Sequence, residues 1–408
     1  MNIIRGLKKN IMNKISVAFA LSYGTRGAHQ KYVPLMNVLD TELCNCYGLK
    51  FPKGYIPKDE PIEKMYLSSF ADIASRHIVS PLSNVFHYPQ YYSYMSKNIM
   101  FDYLISNRVS KDNSRILFTS PLLENTVRKA KQSGKIVVLE AGNSEPEREH
   151  NRIKDEYEKF HIKNRYIYGD SRYRDICKKS FELADKIITI SNVSKTTYEK
   201  AGYDMNKFHL ISLAGTNFEI QKEIKTENKK KAFISTAFHS FIKGTHRLLL
   251  AWRRAGIKDI PLLIVGNMCE DMKEFIEKYG PFENVIFVGA RYDLNEWYKN
   301  YDAVGILLSL SEGAGRVTPE LMSFGFPMIV SEDATCDLVK DQENGFIVNP
   351  FDEEEIAEKI KYFAQNWENV HEMNLSVLKS INNRTITDYS IEVADYLMAL
   401  GTKLDKEQ

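Results

Sequence analysis

The chain has 408 residues, of which 43% are apolar and 26% are charged. This composition is sufficient for a large hydrophobic core and excludes a disordered chain, and the length predicts two domains. The 55 basic and 53 acidic residues leave a formal charge of +2, so the overall charge does not indicate a nucleic-acid-binding protein.

The five cysteines are scattered along the sequence and lack the CxxC spacing of a structural zinc site. An odd and scattered set of cysteines favours a reducing compartment, so we expect a cytoplasmic protein. The sequence contains no stretch of about 18 unbroken apolar residues, and no membrane-spanning helix is predicted.

A basic leader precedes the first predicted strand, residues 15–21. Its basic residues are Arg5, Lys8, Lys9 and Lys14. This pattern is similar to a secretory signal, but the apolar stretch is short and continues into Gly24-Thr25-Arg26-Gly27, which is typical of the step from strand to loop in a nucleotide-binding domain. We therefore predict no signal peptide. The leader is either a solvated helix or a peripheral contact with the anionic inner face of the plasma membrane.

Short apolar runs alternate with helical patterns through the first half of the chain. The predicted strands are 15–21, 115–119, 135–139, 186–191 and 209–212. This alternation predicts a parallel sheet wrapped by helices. The tyrosine-rich stretch 55–103 has no clear period, and we expect it to hold helices and loops that face a variable substrate.

The charged segment 219–231 has few large apolar side chains and predicts a linker. A second alternating series follows, with strands at 232–236, 261–265, 285–288, 303–308, 328–331 and 345–348. We predict an α/β fold of two doubly wound, Rossmann-like domains that face each other across a cleft, with ligands at the carboxyl ends of the strands. The expected domains are 1–218 and 232–385, followed by a helix and tail at 386–408.

The most informative segment is 311–327, SEGAGRVTPELMSFGFP, which follows the apolar run 304–308. Thr318 suits the N-cap of a helix and Pro319 its first position, whereas Gly325 and Pro327 end the helix before the next strand. The strand therefore delivers a glycine loop and a helix N-terminus to one point, where free backbone N–H groups can hold phosphate.

The predicted anion site has a carboxylate on each side. Its loop residues are Gly313, Ala314, Gly315 and Arg316. Glu312 precedes the loop, and Glu320 lies just inside the helix. Carboxylates beside a phosphate site accept hydrogen bonds from hydroxyl groups. A ligand with phosphate in the middle and hydroxyls on both sides is a nucleotide sugar.

This pattern, Glu-x7-Glu within Ser-Glu-Gly-x-Gly and followed by Gly-x-Pro, resembles the signature of the family 4 retaining glycosyltransferases, which have the GT-B fold. The resemblance implies that Glu320 holds the ribose hydroxyls of the donor. It implies that Glu312 lies against the transferred sugar with the loop amides. It also implies that the C-terminal helix around 391–397 crosses back onto the first domain.

Lys243, at the turn after strand 232–236, is the predicted cation for the donor diphosphate, where negative charge develops as the sugar leaves. The resembling family usually has an arginine four or five residues earlier, where this chain has Phe238 and His239. His239 is therefore a candidate donor-binding residue, either protonated or as a hydrogen-bond donor. The alternative is an ordinary loop histidine.

Loops after other strands complete the predicted donor pocket. Their residues are Gly266, Asn267, Ala290, Arg291, Gly24 and Gly27. Glycines at such positions also serve tight turns. Many relatives carry a histidine close to the sugar after the strand that corresponds to 135–139. This sequence has Glu145 there and His150 further along, and both are catalytic candidates.

We predict no metal and no cofactor, with the nucleotide sugar as substrate. The sequence has no Asp-x-Asp and no closely spaced histidine pair, so Lys243, the loop amides and the helix dipole must balance the diphosphate charge. The resemblance implies front-face substitution with retention. A donor phosphate oxygen would help deprotonate the acceptor hydroxyl, while Glu312 and backbone groups stabilise the cation-like sugar.

The sequence thus predicts a hexosyl-transferring enzyme that acts on a glycan or lipid-linked acceptor in cell-surface polysaccharide biosynthesis, such as lipopolysaccharide or capsule. Two alternatives remain. A nucleotide-sugar 2-epimerase shares the fold, although its arrangement of carboxylates and histidines is not matched here. A GT-B binding or assembly subunit without turnover would account for the missing arginine and histidine.

Overall fold

The computed structural model describes residues 14–21, 31–49, 73–85, 91–163, 171–224, 226–381 and 383–406. Twelve strands in these ranges form two parallel sheets of six. The strands are β1 Lys14–Ala18, β2 Cys44–Tyr47, β3 Ser114–Thr119, β4 Ile136–Ala141, β5 Lys186–Thr189, β6 Phe208–Leu210, β7 Lys230–Thr236, β8 Leu262–Val265, β9 Val285–Gly289, β10 Tyr301–Leu307, β11 Met328–Ser331 and β12 Gly345–Val348.

Helices connect the strands of both sheets. The α-helices are α1 Tyr32–Leu43, α2 Ser80–Val85, α3 Tyr91–Lys111, α4 Glu124–Gln132, α5 Pro146–Phe160, α6 Ser171–Leu183, α7 Asn192–Lys200, α8 Thr245–Ala255, α9 Glu270–Tyr279, α10 Leu294–Tyr298, α11 Val317–Met322, α12 Glu353–Gln365, α13 Glu368–Ser380 and α14 Ile386–Lys406. A π-helical turn, Ser75–Val79, precedes α2. Among the helices described, none has the length and apolar character needed to cross a membrane.

The first sheet has the strand order β2-β1-β3-β4-β5-β6. The connections change direction between β1 and β3, which makes that point a topological switch. In open α/β sheets, ligands bind in the crevice outside the carboxyl ends of the strands at such a point. The segments that follow β1 and β3 are therefore expected to line a binding site.

The second sheet has the order β12-β11-β10-β7-β8-β9, so its switch point lies between β7 and β10. The turn that contains Lys243 follows β7, and the glycine loop 311–316 follows β10. The two predicted donor-binding segments thus leave neighbouring strands at the switch point.

Helix α14 confirms the predicted return of the C-terminal helix to the first half. It packs against α1. The Tyr389 hydroxyl donates to the Glu140 carboxylate at the end of β4. The Tyr396 ring stacks on His209 of β6, with 4.2 Å between the ring centres.

Helix α5 belongs to the first half of the sequence, but its apolar face packs into the core of the second. Ile153, Tyr157 and Phe160 are buried with side chains of the second sheet. The Tyr157 ring stacks on Phe241, with 4.7 Å between the centres. The apolar packing of α5 therefore crosses the division that the predicted linker makes in the sequence.

A buried charge network also joins α5 to the second half. The Glu156 carboxylate accepts hydrogen bonds from His246 and Arg247 of α8, and Arg247 pairs with Glu353 at 2.9 Å. Burial alone would raise the pKa of Glu156, but the bonds from His246 and Arg247 lower it to about 2. Burial lowers the pKa of His246, so the neutral ring donates its Nε2–H to Glu156.

The predicted strands are confirmed, with shifts of a few residues at their ends. The sequence did not predict β2, a short strand with a polar Asn45 between two cysteines. Lys14 is the first residue of β1 and not part of a free leader. The rest of the basic leader lies outside the described residues. Strand β7 begins at Lys230, within the segment predicted as a linker.

Candidate functional site

The loop after β10 leads into α11, which begins two residues earlier than predicted. Arg316 occupies the cap position and makes no capping bond with its side chain. Thr318 is not the N-cap; it is buried inside the helix, where its Oγ1 donates to the Ala334 oxygen at 2.6 Å. Gly325 follows the helix with a φ of 78°, the left-handed conformation that favours glycine.

The glycine loop touches strand ends of the first sheet. Ser144 Oγ, after β4, donates to the Glu312 carbonyl at 2.8 Å, and Ser191 Oγ, after β5, donates to the Gly313 carbonyl. A Cβ on Gly313 would overlap the carbonyl oxygen of Gly142. The carboxyl ends of the two sheets therefore face each other, and Gly313 is needed for their close approach.

Lys243 and Glu312 meet at the second switch point. Gly244, which follows Lys243, has a φ of 65°, and a Cβ there would overlap the Leu308 carbonyl, so this turn is pressed against the end of β10. The Lys243 ammonium forms an ion pair with the Glu312 carboxylate. Ser309 Oγ donates to Glu312 Oε1 at 3.0 Å. Lys243 and Glu312, both predicted to bind the donor, are thus in direct contact in this structure.

Glu320 lies one helical turn from Arg316, with 3.8 Å between its carboxylate and the guanidinium. Burial raises the pKa of Glu320 to about 7, although Arg316 acts in the opposite direction. Arg316 Nε is buried and makes no hydrogen bond among the described residues. A ligand that brings hydroxyl donors to this carboxylate would relieve the cost of its buried charge.

His239 is placed differently from the prediction. It is fully buried; Nε2 donates to the Val265 carbonyl at 3.1 Å, and Nδ1 accepts from Thr245 Oγ1 at 2.9 Å. Burial lowers its pKa to about 4, so the ring is neutral at pH 7. With both nitrogens engaged inside the protein, His239 cannot replace the missing arginine at the diphosphate. Phe238, at the other position, is 62% exposed.

The loops after β8 and β9 lie side by side. Gly266 has a φ of 130°, and its N–H donates to the Gly289 carbonyl at 2.8 Å. Asn267, the next residue, is exposed. The Asn267 carbonyl accepts a hydrogen bond from the backbone N–H of His239 at 2.8 Å. Ala290 is exposed next to Arg291.

Arg291 forms two bonds with Asp293, at 2.9 and 2.6 Å, and lies 5.5 Å from the centre of the Trp297 ring. Its guanidinium is thus held locally. Donor binding by Arg291 remains a prediction, as it does for Gly266, Asn267 and Ala290. Gly24 and Gly27 lie outside the described residues.

Glu145 and His150, the two catalytic candidates after β4, do not line the same pocket. Glu145 is the N-cap of α5 and accepts from the Arg148 N–H at 2.7 Å. It lines an outer groove with Arg174, Lys178 and Tyr203. His150 is half-buried further along α5. The geometry thus gives Glu145 a structural task, and a catalytic role for either residue remains a prediction.

A cavity of about 210 Å³ lies at the first switch point. Its lining includes Leu21, Tyr94, Asn98, Ser120, Glu140 and Asn143. Glu140 is the carboxylate that faces this cavity, and it is bonded by Lys31 at 2.7 Å and by the hydroxyls of Tyr32 and Tyr389. Sequence reasoning missed Glu140, because its partners come from distant segments.

Asp333 forms a further contact between the halves. Arg148 of α5 makes two bonds with its carboxylate, at 2.8 and 2.9 Å, and Arg152 adds one at 2.8 Å. Arg152 also donates to the Leu310 carbonyl at 2.9 Å. This cluster sits beside the glycine loop and holds its start against α5.

Within the described part of the chain, no group of three or more potential metal-ligating side chains occurs. Lys243 and Arg316 are cationic side chains beside the glycine loop.

Comparisons with known proteins agree with this architecture. Residues 216–376, which include Lys243, Glu312 and Glu320, match the family model described as glycosyl transferases group 1. No curated protein sequence matches the chain.

Three solved structures illustrate the likeness in fold. Anabaena Alr3699/HepE in complex with UDP and glucose has 15% identity and a TM-score of 0.61, over 94% of this chain and 99% of that one. Sucrose-phosphate synthase from Thermosynechococcus elongatus has 14% identity and a TM-score of 0.67, over 96% and 100%. WaaG, a glycosyltransferase involved in lipopolysaccharide biosynthesis, has 14% identity and a TM-score of 0.61, over 94% and 99%. The predicted GT-B fold is confirmed.

Proposed function

We propose that this chain is a retaining glycosyltransferase that moves a hexosyl group from a nucleotide-sugar donor to a glycan or lipid-linked acceptor in cell-surface polysaccharide biosynthesis, such as lipopolysaccharide or capsule. The observation that carries the proposal is the ion pair between Lys243 and Glu312 at the second switch point. Glu320 lies in the helix that follows the same glycine loop. HepE, which shares the fold, was solved with UDP and glucose.

Each of the three side chains has a separate task in this proposal. The Lys243 ammonium binds the donor diphosphate and balances the charge that grows on it as the sugar leaves. Glu312 lies beside the transferred sugar and stabilises positive charge at its anomeric carbon. Glu320 accepts hydrogen bonds from the ribose hydroxyls, because a buried carboxylate gains most from such donors.

The reaction replaces one bond at the anomeric carbon by another on the same face. The bond to the donor phosphate oxygen breaks, and a bond to the acceptor oxygen forms. The acceptor proton passes to the departing phosphate oxygen. Lys243 and the backbone N–H groups of the glycine loop stabilise the leaving diphosphate without a metal ion.

The first-half cavity supplies the acceptor site in this proposal. It lies at the carboxyl end of the first sheet, and the Ser144 and Ser191 contacts bring that end to the glycine loop. An acceptor hydroxyl held there faces the donor sugar across the junction of the halves. We place the enzyme in the cytoplasm, where nucleotide sugars are its donors.

A donor screen tests the proposal. The purified protein is incubated with UDP-, GDP-, ADP- and CDP-sugars in excess EDTA, and slow donor hydrolysis is measured. We expect one nucleotide to raise the melting temperature, since a bound ligand stabilises by RT ln(1 + [L]/Kd), and its sugar to be hydrolysed despite the chelator. If hydrolysis requires added manganese, the metal-free mechanism is wrong.

The same screen separates the alternatives. A binding or assembly subunit would be stabilised by one nucleotide but would hydrolyse no donor and transfer to no acceptor. A 2-epimerase would convert the donor into its 2-epimer without releasing free sugar. Retention is checked by the anomeric configuration of the transferred sugar in NMR spectra of the product.

A further inference from the structure

Two cation–carboxylate pairs lie at the two ends of the glycine loop. The Lys243 ammonium pairs with the Glu312 carboxylate at the start of the loop, and the Arg316 guanidinium faces the Glu320 carboxylate beyond its end. All four side chains are largely buried, with exposed fractions between 17% and 28%. Each pair combines a cation that can bind a phosphate with a carboxylate that can accept from hydroxyl groups.

The buried thiol of Cys336 shows that the two pairs are neighbours. Cys336 lies in the segment that follows β11. Burial raises the pKa of this thiol, and Glu312 and Glu320 act in the same direction, whereas Arg316 opposes them. Members of both pairs are therefore close enough to influence the same side chain.

The two pairs differ in how well their polar groups are satisfied. Lys243 and Glu312 are in direct contact, and Ser309 Oγ also donates to Glu312. Arg316 Nη2 lies 3.8 Å from Glu320 Oε1, which is too long for a hydrogen bond. Arg316 Nε is buried and has no hydrogen-bond partner in the part of the chain that the structure describes. The second pair therefore leaves hydrogen-bonding capacity unused.

Unused capacity in a buried pair is costly in the unliganded protein. A guanidinium has five N–H donors, and a buried donor without a partner costs free energy. Burial also raises the pKa of Glu320 to about 7, which Arg316 only partly offsets. A ligand that offers an anionic oxygen to Arg316 and hydroxyl donors to Glu320 would satisfy both groups. A ribose with a 5′-phosphate carries these groups on one small unit.

The turn before Lys243 supplies no second cation for a diphosphate. His239 is buried and neutral at pH 7, and Phe238 has no charge. Arg316 has the chemistry that these positions lack, because its planar guanidinium can present two parallel N–H donors to one phosphate group.

We propose that Arg316 is a further substrate-binding residue, whose guanidinium binds the phosphate that carries the ribose, while Lys243 binds the phosphate that carries the transferred sugar. The carboxylate of each pair then lies beside the sugar ring on the same phosphate, the ribose for Glu320 and the transferred sugar for Glu312. This division of the diphosphate between two cations rests on the proposed function, because it requires a nucleotide-sugar donor.

Titrations with uridine, UMP and UDP test the proposal on the full chain, because these probes add one phosphate at a time. If the donor screen selects another base, the nucleoside, monophosphate and diphosphate of that base replace them. Arg316→Ala should weaken UMP and UDP binding about 10- to 100-fold, the scale of charge-assisted hydrogen bonds, and should weaken uridine binding much less. Lys243→Ala should weaken the binding of UDP but not of UMP.

The Glu320→Gln background separates direct contact from an effect through Glu320. If Arg316 only keeps Glu320 ionised, Arg316→Ala should have no effect on UMP affinity in this background. Direct contact with the phosphate predicts that a loss of about tenfold or more persists there. Arg316→Lys should recover part of the affinity, because it keeps the charge and loses the planar fork.

Arg254→Ala is the matched control. It removes an arginine from an exposed pair with Glu354 and should bind all three probes like wild type. Circular dichroism confirms that the variants are folded.

Two results would overturn the role of Arg316 and leave the proposed function intact. One is equal UMP affinity of wild type and Arg316→Ala. The other is an equal loss of uridine and UMP binding in Arg316→Ala, which would show that Arg316 shapes the pocket and does not bind the phosphate. If wild-type protein binds no nucleotide in the donor screen, the proposed function fails, and the role of Arg316 fails with it.

Discussion

The ammonium of Lys243 and the carboxylate of Glu312 are paired across the second switch point. One side chain comes from the turn after β7 and the other from the loop after β10. Because the proposed function gives the lysine to the diphosphate and the glutamate to the sugar, donor binding must separate this pair. In the unliganded protein the ion pair holds both side chains in place.

Lys243→Ala should lower turnover by about 2 to 4 kcal/mol of transition-state stabilisation, the scale seen when one preorganised donor to a developing charge is removed. Donor hydrolysis and acceptor transfer are both measured. Lys299→Ala, which removes a surface lysine paired with Glu296, is the matched control and should keep wild-type rates. Wild-type turnover in Lys243→Ala would exclude the assigned role.

Glu320→Gln and Glu312→Gln should have opposite signatures. Glu320 is assigned to the ribose, which does not react, so its replacement should mainly weaken the affinity for free nucleotide. Glu312 is assigned to the sugar, where charge grows, so its replacement should lower turnover and leave nucleotide affinity nearly unchanged. Calorimetric nucleotide binding and turnover of each variant provide the comparison. If both variants bound the nucleotide equally well, the assignment would fail.

Nucleotide affinity should rise between pH 6 and pH 8 as Glu320 ionises around its raised pKa of about 7. The carboxylate accepts two hydroxyl hydrogen bonds, whereas the protonated acid accepts fewer. The nucleotide phosphate also titrates in this range, so wild type is compared with Glu320→Gln at each pH. The difference between the two affinities should grow with pH, and a constant difference would count against the carboxylate.

The same raised pKa predicts an effect on the unliganded protein. A carboxyl whose pKa is higher in the folded state stabilises the fold at low pH, and this contribution is lost as the pH rises through about 7. Glu320→Gln should therefore raise the melting temperature of the free protein at pH 8 and change it little at pH 5. The ionised Glu320 carboxylate would then strengthen nucleotide binding but lower the stability of the unliganded protein.

Acid should weaken the protein through Glu156. Its pKa of about 2 lies below the ordinary value of 4.5, so its stabilising contribution is complete above pH 4.5 and is lost as the pH falls toward 2. The shift corresponds to roughly 3 kcal/mol at most, at 1.36 kcal/mol per pKa unit. Glu156→Gln should lower the free energy of unfolding in urea at pH 7 and reduce the loss of stability in acid.

The control for Glu156 is Glu354→Gln, which breaks an exposed pair with Arg254. An exposed ion pair contributes less than about 1 kcal/mol, so this variant should unfold like wild type. Similar unfolding of Glu156→Gln and wild type would show that the network with His246 and Arg247 adds no net stability.

Strong local patterns made most of the fold predictable. Buried parallel strands such as β8 and β10 are short apolar runs bounded by turns, and the periods between them indicate helices. The glycine loop could be placed at the end of β10 for the same reason. Strand β2 could not be predicted, because its four residues, CNCY, are too few and too polar to form a pattern.

The parts of the site that escaped prediction depend on contacts between distant segments. Gly313 was assigned to phosphate binding, but its lack of a Cβ is also required by Gly142, which lies far away in the sequence. The contacts of Asp333 and Glu140 could not be predicted for the same reason, since each carboxylate is bonded by a residue more than 100 positions away in the sequence. The burial of His239 could not be predicted either. The residues next to it in the sequence do not indicate that its ring bonds the carbonyl of Val265.

The placement of α5 limits how this protein can be divided. A fragment that ended at residue 218 would leave Ile153, Tyr157 and Phe160 without their partners, and the complementary fragment would have an open slot beside Phe241. Neither piece should express as a stable folded protein by itself, although the two pieces produced together should reassemble. For exchanges of one half between related chains, the better junction leaves the segment 146–160 with the second half.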